Sequence, residues 1–229
     1  MKEKQKRQSL RERILPDYTR GEEVFNMTSH IVGGAWGIAY LVLCVIMAAL
    51  HHNPIGVVSS AIYGSMVIIL FTMSSVYHGL KPSTGKKVLQ IIDHCSIYLM
   101  IAGTYTPIAL CAVREQNVAA GWVLFGIIWG MTAFAATFTA IDLVKYKKLS
   151  MICYLGMGWC VVGFWKITYQ AIGFYGALFL IAGGVLYTIG AVLYAIGKKK
   201  QIRYMHSVFH LFVNLASLCH FFCILFYVV

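Results

Sequence analysis

"YMHSVFHLFVNLASLCHFFCILFYVV", residues Tyr204–Val229, decides the fold. From Met205 onward it holds no Lys, Arg, Asp or Glu. It is as long as a membrane-spanning helix, which needs roughly 20 mostly apolar residues. Its first turns nevertheless carry His206 and His210, four residues apart and so on one helix face. An imidazole in a lipid-facing helix is costly, because its ring nitrogens need partners that hydrocarbon cannot supply. The pair must find those partners inside the protein.

The rest of the chain repeats this composition. Of 229 residues, 59% are hydrophobic and 12% charged. Soluble domains carry about 25% charged residues. Seven apolar blocks are long enough to span, at about 30–50, 55–78, 91–111, 118–141, 149–170, 172–196 and 206–229. The expected fold is all-α and integral to the membrane, with seven transmembrane helices and loops too short for a soluble module. Residues 1–26 read as a basic cytoplasmic tail and 27–229 as the transmembrane domain. The tail has no apolar core of the kind a cleavable signal needs, so the first helix reads as an uncleaved anchor. Its basic run "MKEKQKRQSLRER" suits anionic lipid headgroups. The run is short and lacks interleaved aromatics, which argues against a nucleic-acid partner. Seven cysteines, with no CxxC pair, argue against a disulfide framework.

Orientation follows from Lys and Arg. Of the 19, 17 fall in the N-terminal tail or between blocks 2 and 3, 4 and 5, or 6 and 7; only Arg114 and Lys166 fall on the other side. The positive-inside rule puts the N-terminus in the cytoplasm and, after seven crossings, the C-terminus outside. The expected location is the plasma (inner) membrane.

Glycine and proline punctuate the blocks. Gly176, Gly183, Gly190 and Gly197 recur every seven residues, nearly on one face, and Gly126 and Gly130 are four apart. Small residues let helices approach closely, so both sets are expected at helix contacts. Pro54 and Pro82 mark turns, and Pro107 is expected to kink the outer end of the third helix.

Polar groups inside the blocks are few. With the orientation fixed by Lys and Arg, His78, Asp93, His206 and His210 fall within roughly 10 Å of one depth, near the cytoplasmic face. Ser74 shares a helix face with His78. Two imidazoles at i and i+4 can grip one metal, and His78 would supply a third nitrogen. Three protein ligands and an open position make a catalytic zinc arrangement. An HxxxH pair alone fits satisfied core histidines equally well; the convergence from separate helices favours the metal. Asp93 is the one carboxylate well inside a block, and an intramembrane acid marks function. His94 points about 100° away from Asp93. His30 lies at the right depth for an outer-shell role. His51, His52 and His220 read as ordinary polar positions.

"SSVYH", "DHCSIYLMIAGTYTP", "YLGMGW" and "MHSVFHLFVNLASLCHF" resemble the hemolysin III family. That family is the bacterial branch of the progestin and adipoQ receptors, which in turn resemble alkaline ceramidases. The resemblance covers all seven blocks. It implies Zn²⁺ held by His78, His206 and His210, with Asp93 contacting a water on the metal and Ser74 in the same polar cluster.

Two classes of function follow. Zinc, Asp93 as base and Ser74 as hydrogen-bond donor suit hydrolysis of a lipid amide or ester entering from the inner leaflet. Alternatively the metal staples helices in a receptor-like or membrane-homeostasis protein. The family name also implies a cytolysin, yet the chain lacks the charges that line an aqueous pore. Expected partners are membrane lipids and a lipid-like substrate or ligand.

Overall fold

The structure, a computed structural model, describes residues 9, 10 and 12–229. Most of the basic arm lies outside the described residues. Among those described, the chain is all helix and no strand.

Polar caps set the helix starts. Helix α1 (Arg20–Leu50) opens on a reciprocal capping box, in which Thr19 accepts from the Glu22 N–H and the Glu22 carboxylate accepts from the Thr19 N–H. It therefore begins inside the stretch expected as tail. In α2 (Pro54–Gly79), Asn53 caps the Gly56 N–H and Pro54 occupies the first turn. Ser83 caps α3 (Thr84–Pro107). Pro107 has no N–H to continue the ladder, and the chain widens there into a π-helical turn over Ile108–Val113. Asn117 caps α4 (Val118–Ile141). The remaining helices are α5 (Lys147–Gly158), α6 (Trp165–Lys200) and α7 (Met205–Tyr227).

Among the described residues, six helical stretches are long and apolar enough to cross a membrane, which makes this a multi-pass membrane protein. One of them, Lys147–Lys200, has 54 residues. A straight helix of that length would reach about 81 Å, against a hydrocarbon core of about 30 Å. It is not straight. A 3₁₀ turn over Cys160–Phe164 separates α5 from α6, and Gly173 inside α6 has φ 67° and ψ −172°. The Trp159 indole donates to Thr188 Oγ1 at 3.0 Å. Two residues so far apart in sequence can touch only if the chain doubles back between them, and Gly173 lies midway. A positive φ there is open to glycine at little steric cost.

Helix α3 is the centre of the bundle. In the stretch Thr84–Gln116, α3 with its π-helical continuation, 83% of the most apolar window is buried, against 28% for α1 and α4. Helices α1 and α2 form one close pair and α6 and α7 another, with α7 also against α1. The heptad glycines explain the second pair. Cβ atoms added at Gly176 and Gly190 would lie 2.9 Å from Tyr227 Cβ and 2.8 Å from Phe212 Cβ, and those at Gly183 and Gly197 would run into His220 and Met205. The partners descend as the glycines ascend, so the helices are antiparallel and in register. Gly126 and Gly130 do not follow this rule. Nothing lies within 4 Å of a Cβ at either, because that face of α4 is turned away from the bundle. All seven cysteines are free.

Candidate metal centre

Four helices bring polar side chains together at one end of the bundle. Helix α1 presents Glu23, Asn26 and His30, spaced to share one face. Helix α2 supplies Ser74 and His78, α3 supplies Lys86 and Asp93, and α7 supplies His206, His210 and Asn214. Helix α7 starts at Tyr204, whose left-handed backbone (φ 61°) turns the chain into the helix. The Tyr204 N–H donates to Glu22 Oε1 at 2.7 Å, so one carboxylate caps both α1 and α7.

His78, His206 and His210 each offer a ring nitrogen, and these lie within 4.8 Å of one another. Their other contacts orient them. His78 Nδ1 is 2.6 Å from Glu23 Oε2, which fixes its proton on Nδ1, and Nε2 is buried without a protein partner. His210 Nδ1 lies 3.3 Å from the Asn26 carbonyl and 3.4 Å from Ser29 Oγ. That places the His210 proton on Nδ1 and leaves Nε2 with its lone pair. His210 Nε2 and His206 Nε2 face each other at 3.2 Å. Zinc–nitrogen bonds of about 2.0–2.1 Å at a tetrahedral angle would hold two ligand nitrogens about 3.3 Å apart. The orphaned Nε2 of His78 and the facing pair on α7 thus fit a divalent ion, and this group can hold one. Imidazole donors suit zinc, copper, iron or nickel.

Asp93 stands outside that group of three. Ser74 and Asp93, expected in one polar cluster, are both buried and lie near each other. His94 Nδ1 is 3.9 Å from Asp93 Oδ2, but its hydrogen bond goes to the Gln90 carbonyl at 2.8 Å. His30 lies flat on His210, ring centroids 3.7 Å apart and planes 9° apart, with neither nitrogen bonded. It backs the ligand ring. His220 bonds the Leu180 carbonyl at 3.1 Å, and His51 the Val229 carbonyl at 3.0 Å, both away from the centre.

Four participants escaped the sequence reading. Glu23 and Asn26 fell within the supposed tail, although Glu23, Asn26 and His30 recur at helical spacing. Lys86 counted as a loop charge, yet it is buried at 3% exposure and its ammonium lies 2.6 Å from Glu23 Oε1. Tyr18 precedes α1 and stacks on His206, centroids 5.2 Å and planes 11° apart. Burial pushes its phenol well above the ordinary tyrosine range, so it stays neutral as a cover.

A sequence model of haemolysin-III related proteins matches residues 18–221, which include every residue of this centre. The chain belongs to the haemolysin-III family. It is 35% identical over 207 residues to Hemolysin-3 of Bacillus cereus, covering 90% of this chain and 92% of that protein. It is 34% identical over 212 residues to the Hemolysin-3 homolog of Bacillus subtilis, covering 93% and 97%. A more distant similarity, 28% over 174 residues, reaches the human monocyte to macrophage differentiation factor, covering 73% and 69%. The haemolysin-III match and the three-histidine group rest on separate observations, one on sequence and one on geometry.

Proposed function

We propose that this haemolysin-III protein is a zinc-dependent hydrolase of lipid amide or ester bonds, working at the cytoplasmic leaflet of the plasma membrane. Seven crossings, N-terminus inside, give the topology: the fold-back at Gly173 splits Lys147–Lys200 into two spans, and the Lys/Arg distribution orients them. Residues 1–19 then form the cytoplasmic N-terminal segment, and the helical domain carries the site.

The observation that carries the reading is the convergence of three imidazoles, from α2 and α7, in a chain that also buries Ser74 and Asp93. Zinc at such a site supplies Lewis acidity and lowers the pKa of water from 15.7 to about 7. His78, His206 and His210 hold the ion; Asp93 takes the proton from the attacking water. Ser74 donates to that carboxylate and keeps it aimed. Tyr18 shields the His206 face from the cytosol, which leaves lateral entry from the inner leaflet for a lipid chain. A purely structural zinc would have four protein ligands, and Asp93 outside the trio favours chemistry.

The test is lipidomics on cells overproducing the protein or its Asp93→Asn variant. A free fatty acid or lysolipid that accumulates with the first and not the second supports hydrolysis. Identical lipid profiles for both count against it.

A further inference from the structure

We propose that Lys86 and Glu23 form a positioning relay that sets the tautomer of His78 and thereby the metal affinity of the centre. The inference rests on the reading of His78 as a ligand.

The relay is visible in its contacts. Glu23 Oε2 accepts from His78 Nδ1 at 2.6 Å, and Glu23 Oε1 accepts from Lys86 Nζ at 2.6 Å. Lys86 Nζ also donates to the Leu80 carbonyl at 2.8 Å and sits 5.2 Å from the centre of the Tyr77 ring. Leu80 is the C-cap of α2, where the helix dipole favours a cation. The ammonium is thus fixed by the end of α2, by the Tyr77 face and by Glu23. Through Glu23, the same contact reaches His78 on the last turn of α2.

Each step has a chemical reason. A neutral imidazole carries one proton, and whichever nitrogen holds it cannot bind metal. The carboxylate holds that proton on Nδ1 and leaves Nε2 as the ligand atom, the usual part of an outer-shell carboxylate beside a metal-bound histidine. Lys86 engages the other oxygen. The carboxylate then cannot rotate away, and a charge drawn out of water keeps a partner.

Glu23→Gln separates this role from simple packing. An ammonium has only donors, so Lys86 selects the amide oxygen of the new side chain. The amide NH₂ then faces His78 Nδ1 and can only donate to it. The proton moves to Nε2, and the ligand atom is lost. Lys86→Met in the same chain frees the amide to turn its oxygen back toward His78. Glu23→Gln should therefore weaken zinc binding by roughly 10- to 100-fold, the usual worth of such a partner. The double variant Glu23→Gln/Lys86→Met should recover most of that loss.

The experiment uses the full chain in detergent micelles. Zinc affinity is read by competition with a chromogenic chelator. Separately, the ¹⁵N shifts of the histidine rings report the His78 tautomer in metal-stripped protein, with the His78→Ala variant for assignment. Expected are an Nδ1-protonated His78 in the parent, an Nε2-protonated one in Glu23→Gln, and rescue in the double variant. Unchanged affinity and tautomer in Glu23→Gln, or a double variant no better than the single one, overturns the relay while leaving the three-histidine site standing. A parent protein that binds no zinc yet shows the tautomer change overturns the metal reading and leaves the Glu23–His78 coupling supported. The stripped-protein shifts need no metal and no activity, so a variant that binds zinc weakly is still read.

Discussion

Trp159 and Thr188 are joined by a hydrogen bond of 3.0 Å between the indole N–H and Oγ1. The only non-helical backbone in α6 lies between them, at Gly173 (φ 67°). The contact brings the residue that ends α5 against the middle of α6, so the chain reverses between them.

Gly173→Ala should therefore destabilise the protein by about 1–3 kcal/mol, because φ 67° with ψ −172° is a backbone conformation essentially confined to glycine. Open space around the position leaves backbone strain as the sole cause. Melting in detergent checks the value. In a cysteine-free background, Phe174→Cys should react with an impermeant thiol reagent from outside and Lys199→Cys only after permeabilisation. Both labelled from the same side would refute the hairpin.

The glycines make a paired prediction. Gly183→Leu drives a side chain into His220 and should cost at least 1–3 kcal/mol through overpacking, with loss of the His220–Leu180 bond. Gly130→Leu meets no atom within 4 Å and should stay within about 0.5 kcal/mol of the parent. Equal melting shifts for the two variants would contradict the packing described above.

These two sets of glycines also show where sequence is informative. Heptad spacing over four residues names a face, and α7 covers it. Gly126 and Gly130 give the same local signal over one turn, but only the neighbours of α4 determine which way it faces. The break near residue 171, read from two adjoining apolar blocks, lies close to the non-helical backbone at Gly173. The 3₁₀ turn at Cys160–Phe164 left no apolar gap to read. His78, His206 and His210 were legible from depth. Glu23 and Lys86 were not, because their contact joins positions 63 residues apart and each side chain alone is an ordinary surface charge.

Tyr18 gives a kinetic prediction. Its ring lies on His206, and Arg203 Nη1 holds the same segment through the Asp17 carbonyl at 2.7 Å. Tyr18→Ala should speed zinc release to a hydrophilic chelator several-fold with little change at equilibrium. Tyr18→Phe keeps the stacked ring and should release at the parent rate. The release time course distinguishes them, and a Tyr18→Ala protein that releases no faster would remove Tyr18 from the role of cover.

Asp93 separates chemistry from stapling. Its carboxylate is buried near Ser74 and stands outside the three-histidine group. Asp93→Asn leaves all three imidazoles in place and keeps the size of the side chain. The variant should keep most of its zinc and its melting temperature. It cannot accept a proton, so hydrolysis should fall by a factor on the order of 10²–10⁴. His206→Ala and His78→Ala remove ligands instead, so each should lose zinc, melt earlier and lose activity together, because metal binding couples to folding. Metal analysis and melting of the purified variants give the outcome directly. A metal-free, destabilised Asp93→Asn protein would make Asp93 a fourth ligand of a closed structural site, and the hydrolase reading would fall with it.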